Sequence, residues 1–214
     1  MNPAFIEQRK QYTKAIAQRY DVSEQMFDTV TGLLAPLATP VSLRKGDYLQ
    51  RIGTPAKWVY WTYRGVVRNG FTNECGTEVT LRFTMDGEAA GSHEDLVGAR
   101  SGVPAQHFVV AETAVEAYRM DWAEVRALAA EHQILRDYYL KVAEASILRQ
   151  GRRLSMHSHT SAAGRLAAFR REYPGLEERI SQKVIASFLG ITPQYMSQLL
   201  RTLLPPSAAA ARSG

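Results

Sequence analysis

The chain reads as an α+β fold: an N-terminal antiparallel β-roll of jelly-roll type with leading helices, a long helix, and a C-terminal helical unit. Three observations predict it. Apolar residues recur at helical spacing through about residue 38. Short β-rich runs separated by glycines fill Val41 to Met120. From Trp122 onward the glycines thin out and helix formers take over.

Each element follows from its local pattern. Phe5, Ile6, Tyr12, Ile16 and Ala17 are spaced as one helix face, and Ser23 is placed to cap a helix containing Phe27, Val30 and Leu34. Trp58 to Trp61 is a β run closed by Gly65, and its aromatic residues read as core. In Glu78 to Phe83, Val79, Leu81 and Phe83 alternate with Glu78, Thr80 and Arg82. Such short strands with turn signals predict a small antiparallel barrel or jelly roll. Ala123 to Leu154 reads as helix with one break near His132, and a second helix runs from Ser161 to Tyr173, before Pro174-Gly175. The boundaries expected are 1–130 for the roll with its helices, 131–158 for the long helix, 159–204 for the C-terminal unit, and 205–214 for a disordered tail.

Composition excludes several classes. The 214 residues are 45% hydrophobic and 22% charged, ordinary for a globular protein. Cys75, the single cysteine, sits in a predicted turn and can form no internal disulfide. Its isolation fits a reducing cytoplasm, and no membrane association is expected. His157 and His159 point apart on a helix, so no metal site is expected, and no cofactor or catalytic constellation is apparent. His93-Glu94 and His107 lack the His-x-His pattern of a metal-dependent barrel enzyme. Charge is unevenly distributed. From Ile147 to the end there are ten basic residues against three acidic ones, net +7, while the whole chain carries +5. A polyanion partner for the last third accounts for that asymmetry, as does a plain solvated basic surface.

The most informative stretch is QKVIASFLGITPQYMSQLLRTL, from Gln182 to Leu203. Two amphipathic helices meet at Gly190, which supplies the positive φ of a tight turn. Ala186 is small where the helices cross, Ile185, Leu189 and Ile191 fill the bend, and Met196 and Leu199 close it. Thr192 as N-cap and Pro193 at the first helical position open the second helix. Its outer face carries Gln194, Ser197, Gln198 and Arg201, and Lys183 lies on the first helix. These side chains suit base edges and phosphates in a major groove of double-stranded DNA.

Taken together these residues resemble the Crp/Fnr-type transcription regulators. The likeness runs through Leu43-Arg44-Lys45-Gly46-Asp47, Gly53, Tyr60, Gly65, Gly76-Thr77-Glu78, Gly87-Glu88 and Ala111 to Ala117, and ends with Ile180 to Leu203. The resemblance implies a cyclic-nucleotide-binding-like β-roll, a dimerisation helix and a helix-turn-helix. Counting back from Thr113, the family's Gly-Glu and Arg-Ser ligands to cyclic AMP fall at Gly91 and Ser92, and at Ala105 and Gln106. Both charged ligands are absent, so no response to cyclic AMP is expected; Arg100 is the one nearby substitute. An unknown small-molecule effector remains open. The cysteine cluster of an oxygen sensor is missing, and the family's C-terminal wing is expected to be absent.

The resulting expectation is a homodimeric, sequence-specific DNA-binding transcription regulator and not an enzyme. Its dimer seam is expected along Ile134, Tyr138, Val142, Ala145 and Leu148, a stripe that could instead lie on the barrel. The competing reading is a small-molecule-sensing β-roll module that acts through a protein partner.

Overall fold

The structure, a computed structural model, describes residues 2–159 and 161–203. The tail at 205–214 and the wing expected to be missing there lie outside the described residues. Three helices come first: α1 (Pro3–Lys10), α2 (Thr13–Tyr20) and α3 (Glu24–Leu34). Asn2 and Ser23 cap α1 and α3 by accepting from the Phe5 and Met26 amides.

Eight strands follow: β1 (Thr39–Leu43), β2 (Tyr48–Gln50), β3 (Trp58–Arg64), β4 (Val67–Thr72), β5 (Glu78–Thr84), β6 (Ala89–Ala90), β7 (Phe108–Ala111) and β8 (Val115–Asp121). They form two antiparallel four-stranded sheets, ordered β1-β8-β3-β6 and β2-β7-β4-β5. Tyr60, Val67, Val109, Val115 and Ala117 belong to the apolar cluster that the two sheets share. Gly70 sits at a bulge in β4, and a Cβ there would stand 2.3 Å from the Val79 carbonyl oxygen and 2.4 Å from Phe108. Only glycine permits that approach.

Helix α4 (His93–Gly98) and a 3₁₀ turn (Ala99–Ser101) interrupt the roll between β6 and β7. Arg100 therefore lies in a 3₁₀ turn. Beyond β8 come α5 (Trp122–Glu131), α6 (Gln133–His159), α7 (Ala162–Glu172), α8 (Gln182–Leu189) and α9 (Pro193–Leu203). The break falls at His132, which is extended, and Ser161 caps α7. Among the described residues no helix is long and apolar enough to cross a membrane.

The alternation in β5 does not separate a wet face from a dry one. Phe83 is buried, and so are Thr80 and Thr84. Phe83 meets Phe169, Tyr173 and Phe188 of the C-terminal helices at 6.1, 5.5 and 5.5 Å between ring centroids. On the exposed edge of the sheet, the Ser187 hydroxyl donates to the Glu78 carbonyl and accepts from the Thr80 amide, both at 3.0 Å. Arg179 adds a two-pronged pair with Asp86. The C-terminal unit is thus packed on the roll through a shared apolar cluster.

Three residues of the stripe expected as a dimer seam are covered by the chain itself. Val142 is buried in a cluster with Ile16, Tyr20 and Phe27, and Tyr138 and Ala145 pack on the same cluster. These residues cover the chain's own α2 and α3. Ile134 is half-buried and Leu148 is exposed. The open apolar residues of α6 are Leu140, Ile147 and Leu154, at 57%, 67% and 71% exposure, together with Leu148.

Candidate nucleic-acid interface and ligand cleft

Helices α8 and α9 form the bend that their sequence predicts. The Ser181 hydroxyl accepts from the Val184 amide to start α8. Gly190 ends it in the left-handed region at φ +66°, and the Ile191 amide returns to the Ala186 carbonyl at 3.0 Å. Thr192 Oγ1 accepts from the Tyr195 amide at 3.1 Å and Pro193 opens α9. Ala186, Met196 and Leu199 are buried within the C-terminal cluster. The buried side of α9 fixes its rotation, so the opposite side faces outward. Thr192, Pro193, Gln194, Gln198 and Arg201 are exposed, as is Lys183 on α8. Ser197 is half-buried, and its hydroxyl donates to the Pro193 carbonyl at 3.1 Å. Tyr195, which sequence reasoning passed over, is also exposed beside this face.

A cleft of about 600 Å³, here the polar cleft for the charged and polar side chains set among its apolar walls, opens between β4, β5, the start of α4, α6 and α8. Asp95 lies behind the lining and holds two residues of the wall, Ser92 and His107. This buried carboxylate accepts from Gln50 Nε2 at 2.6 Å and from the amides of Gln106 and His107 at 2.9 and 3.0 Å, and stands 3.1 Å from His107 Nδ1. Ser92 caps α4 and lies 3.3 Å from His107 Nδ1. The Gly91 carbonyl accepts from Asn69 Nδ2 and from the Arg82 guanidinium. Burial raises the Glu94 carboxyl, but hydrogen bonds from its own amide and from Gln150, with Arg82 and His107 nearby, outweigh that and hold it below the usual carboxylate range. Burial lowers the pKa of Arg82. It also lowers that of His157, helped by Arg153 and Arg165. Asn69 Oδ1, Arg153 Nε and His157 Nε2 are buried on this cleft without a hydrogen-bond partner among the described residues. Such unmatched donors and acceptors favour a polar occupant.

Of the five positions expected to hold an effector, Ser92 lines this cleft, and Gly91 is tied to it through its carbonyl. The others do not line it. Ala105 is fully buried in a different core cluster. Gln106 is exposed, with its side chain donating to the Pro104 carbonyl. Arg100 lines a separate, apolar cavity against β3, α5 and α6. The cleft's main polar groups come from β4, β5, α4 and α6, with no local motif to announce them. Among the described residues no group of three His, Cys, Asp or Glu is placed to hold a metal ion.

A family model for the cyclic nucleotide-binding domain matches residues 40–132, which span β1 to the end of α5. FixK2 from Bradyrhizobium japonicum superposes with a TM-score of 0.66 at 20% identity, over 78% of this chain and 84% of that one. A protein described as a transcriptional regulator of the Crp/Fnr family from Eubacterium rectale gives 0.64 at 15% identity, over 81% and 82%. The chain has the Crp/Fnr fold. The c-di-GMP-responsive regulator CLP of Xanthomonas campestris shares it, at a TM-score of 0.63 and 14% identity over 82% and 90%. No curated protein matches the chain. The polar cleft lies where the roll, α6 and α8 meet.

Proposed function

We propose that the chain is a homodimeric DNA-binding transcription regulator in which α9 enters the major groove. The observation that carries this reading is the division of α9 into a buried side, Met196 and Leu199, and an exposed side, Gln194, Gln198 and Arg201. A glutamine amide can bond adenine N6 and N7 together, while Arg201 and Lys183 neutralise phosphates. Two-fold DNA sites need two such helices on a symmetry axis. The outward stripe of Leu140, Ile147 and Leu154, at seven-residue spacing, supports a pairing seam of coiled-coil type.

The polar cleft is the effector site in this reading, and its occupant is not cyclic AMP. The loop position that would supply an arginine holds Ala105, inside the core. Arg82 and Arg153 do line the cleft, but Arg82 serves the Gly91 carbonyl and faces Glu94, and Arg153 donates to the Thr80 and Phe188 carbonyls. An added phosphate would lose its water for little free positive charge. Calorimetry with cyclic AMP and cyclic GMP is expected to show no micromolar binding.

Selection of binding sites from random duplex DNA tests the main reading. The wild type should enrich a two-fold symmetric site, and Gln198→Ala should relax one base pair per half-site, a discrimination of roughly 1–3 kcal/mol. Arg201→Ala should weaken binding to all sequences and reduce its salt dependence. Failure to enrich any DNA would favour the protein-partner reading instead.

A further inference from the structure

The apolar cavity against α1, β3, α5 and α6 has no role in the readings above. It encloses about 590 Å³, within the range of small-molecule sites. Val59, Trp61, Met120, Val125, Leu135 and Tyr139 supply much of its wall. Two residues of that wall carry hydrogen-bond donors that the protein leaves unmatched. Arg9 is 4% exposed and Trp122 9%. Arg9 Nη2 and Trp122 Nε1 are both buried without a partner among the described residues.

Arg9 is the more demanding of the two. Its Nε donates to Thr31 Oγ1 at 2.9 Å, and its guanidinium carbon lies 5.4, 4.3 and 5.4 Å from the ring centroids of Phe5, Phe27 and Trp61. Aromatic rings can stabilise a cation but do not accept hydrogen bonds as an oxygen does. Burial lowers the Arg9 pKa, the Tyr138 hydroxyl offsets part of that through a hydrogen bond, and Tyr20 and Asp28 contribute less. A guanidinium keeps its proton in a protein, so its desolvation has to be offset by an acceptor or a counter-charge. A carboxylate meets that need through charge-assisted hydrogen bonds. Arg100 and Arg126, exposed on the cavity's margin, add positive field to the approach.

We propose that this cavity binds a small amphiphilic monocarboxylate, with its apolar body among the aromatic and aliphatic walls and its carboxylate at Arg9 Nη2. A second oxygen on the ligand would meet Trp122 Nε1. The site differs from the polar cleft, and the proposal requires neither DNA binding nor dimerisation.

Titration calorimetry of the full chain tests it with decanoate and 4-phenylbutyrate, each below its micellar concentration. Decanol and 4-phenylbutanol serve as neutral controls of the same shape. At least one acid should bind saturably at one site per chain, at least tenfold more tightly than its alcohol. Arg9→Met should abolish the preference for acid over alcohol, Arg9→Lys should restore part of it, and Arg153→Met, in the polar cleft, should leave it unchanged. Saturation by neither acid, equal affinity for acid and alcohol, or loss of the preference in Arg153→Met in place of Arg9→Met would overturn the proposal. If Arg9→Met does not fold, the acid-to-alcohol ratio in the wild type and in Arg153→Met decides.

Discussion

Two opposite faces of α6 carry large apolar side chains, and only one of them is covered. Leu135, Tyr138, Val142 and Ala145 lie on one side and pack against residues of the same chain. At about 100° per residue, Leu140, Ile147 and Leu154 fall on the other side, and they stay exposed. The comparison teaches that apolar periodicity along a helix reports a buried face without saying what buries it. The first face holds the N-terminal helices to the molecule. The second is the one available to a copy of the chain.

Substitutions on the two faces should therefore fail differently. Val142→Glu carries the largest expected effect, because it puts a charge among Ile16, Tyr20 and Phe27. The protomer should lose at least about 3 kcal/mol, or roughly 6–12 °C of Tm, by urea or thermal unfolding. A stable Val142→Glu protein that merely sediments as a monomer would reverse the assignment of the faces. Ile147→Glu combined with Leu154→Glu should leave protomer stability within about 0.5 kcal/mol. The same pair should weaken dimerisation at least tenfold in sedimentation equilibrium at micromolar concentration. An unchanged dimer would remove this stripe from the seam.

Gly151 sharpens the comparison further. It lies mid-helix on the exposed side, and a Cβ there would meet nothing within 4 Å. Gly151→Ala should stabilise the protomer by roughly 0.5–1 kcal/mol through helix propensity. A loss of dimer affinity in the same variant would put the partner helix against this position.

The smallest effect expected is at the end of the covered side, where His157 faces the polar cleft. Burial depresses its pKa from the ordinary value of about 6.5. The unfolded chain then binds the proton more readily than the folded one. Stability is full above about pH 6.5 and declines as the pH falls below it. Urea midpoints between pH 7.5 and 5.5 should show that decline, and His157→Gln should flatten it.

The α8–α9 bend was legible in the chain itself. Its requirements are local: a small Ala186 at the crossing, Gly190 at φ +66°, Thr192 and Pro193 to start a helix, and Met196 and Leu199 one turn apart. The β-roll was legible as a class for the same reason, since strand alternation and glycine turns are short-range signals. Helix α4 was not, being a six-residue element held by Ser92 and by what Asp95 gathers from distant segments.

The cleft and the cavity belong to the tertiary structure alone. Asn69, Arg82, Glu94 and Arg153 reach one cleft from four separate elements, and Arg9 and Trp122 line one cavity although they stand 113 positions apart. Family spacing put Ala105 beside an effector and proximity in the chain offered Arg100 as a substitute, but packing sends one into the core and the other to the apolar cavity. Sequence determined which residues must be hidden and where the backbone must turn, because those costs are set within a few residues. Which surfaces meet, and which polar groups are left without partners when they do, was decided only when the roll, α6 and the C-terminal helices packed together, because those contacts join residues far apart in the chain.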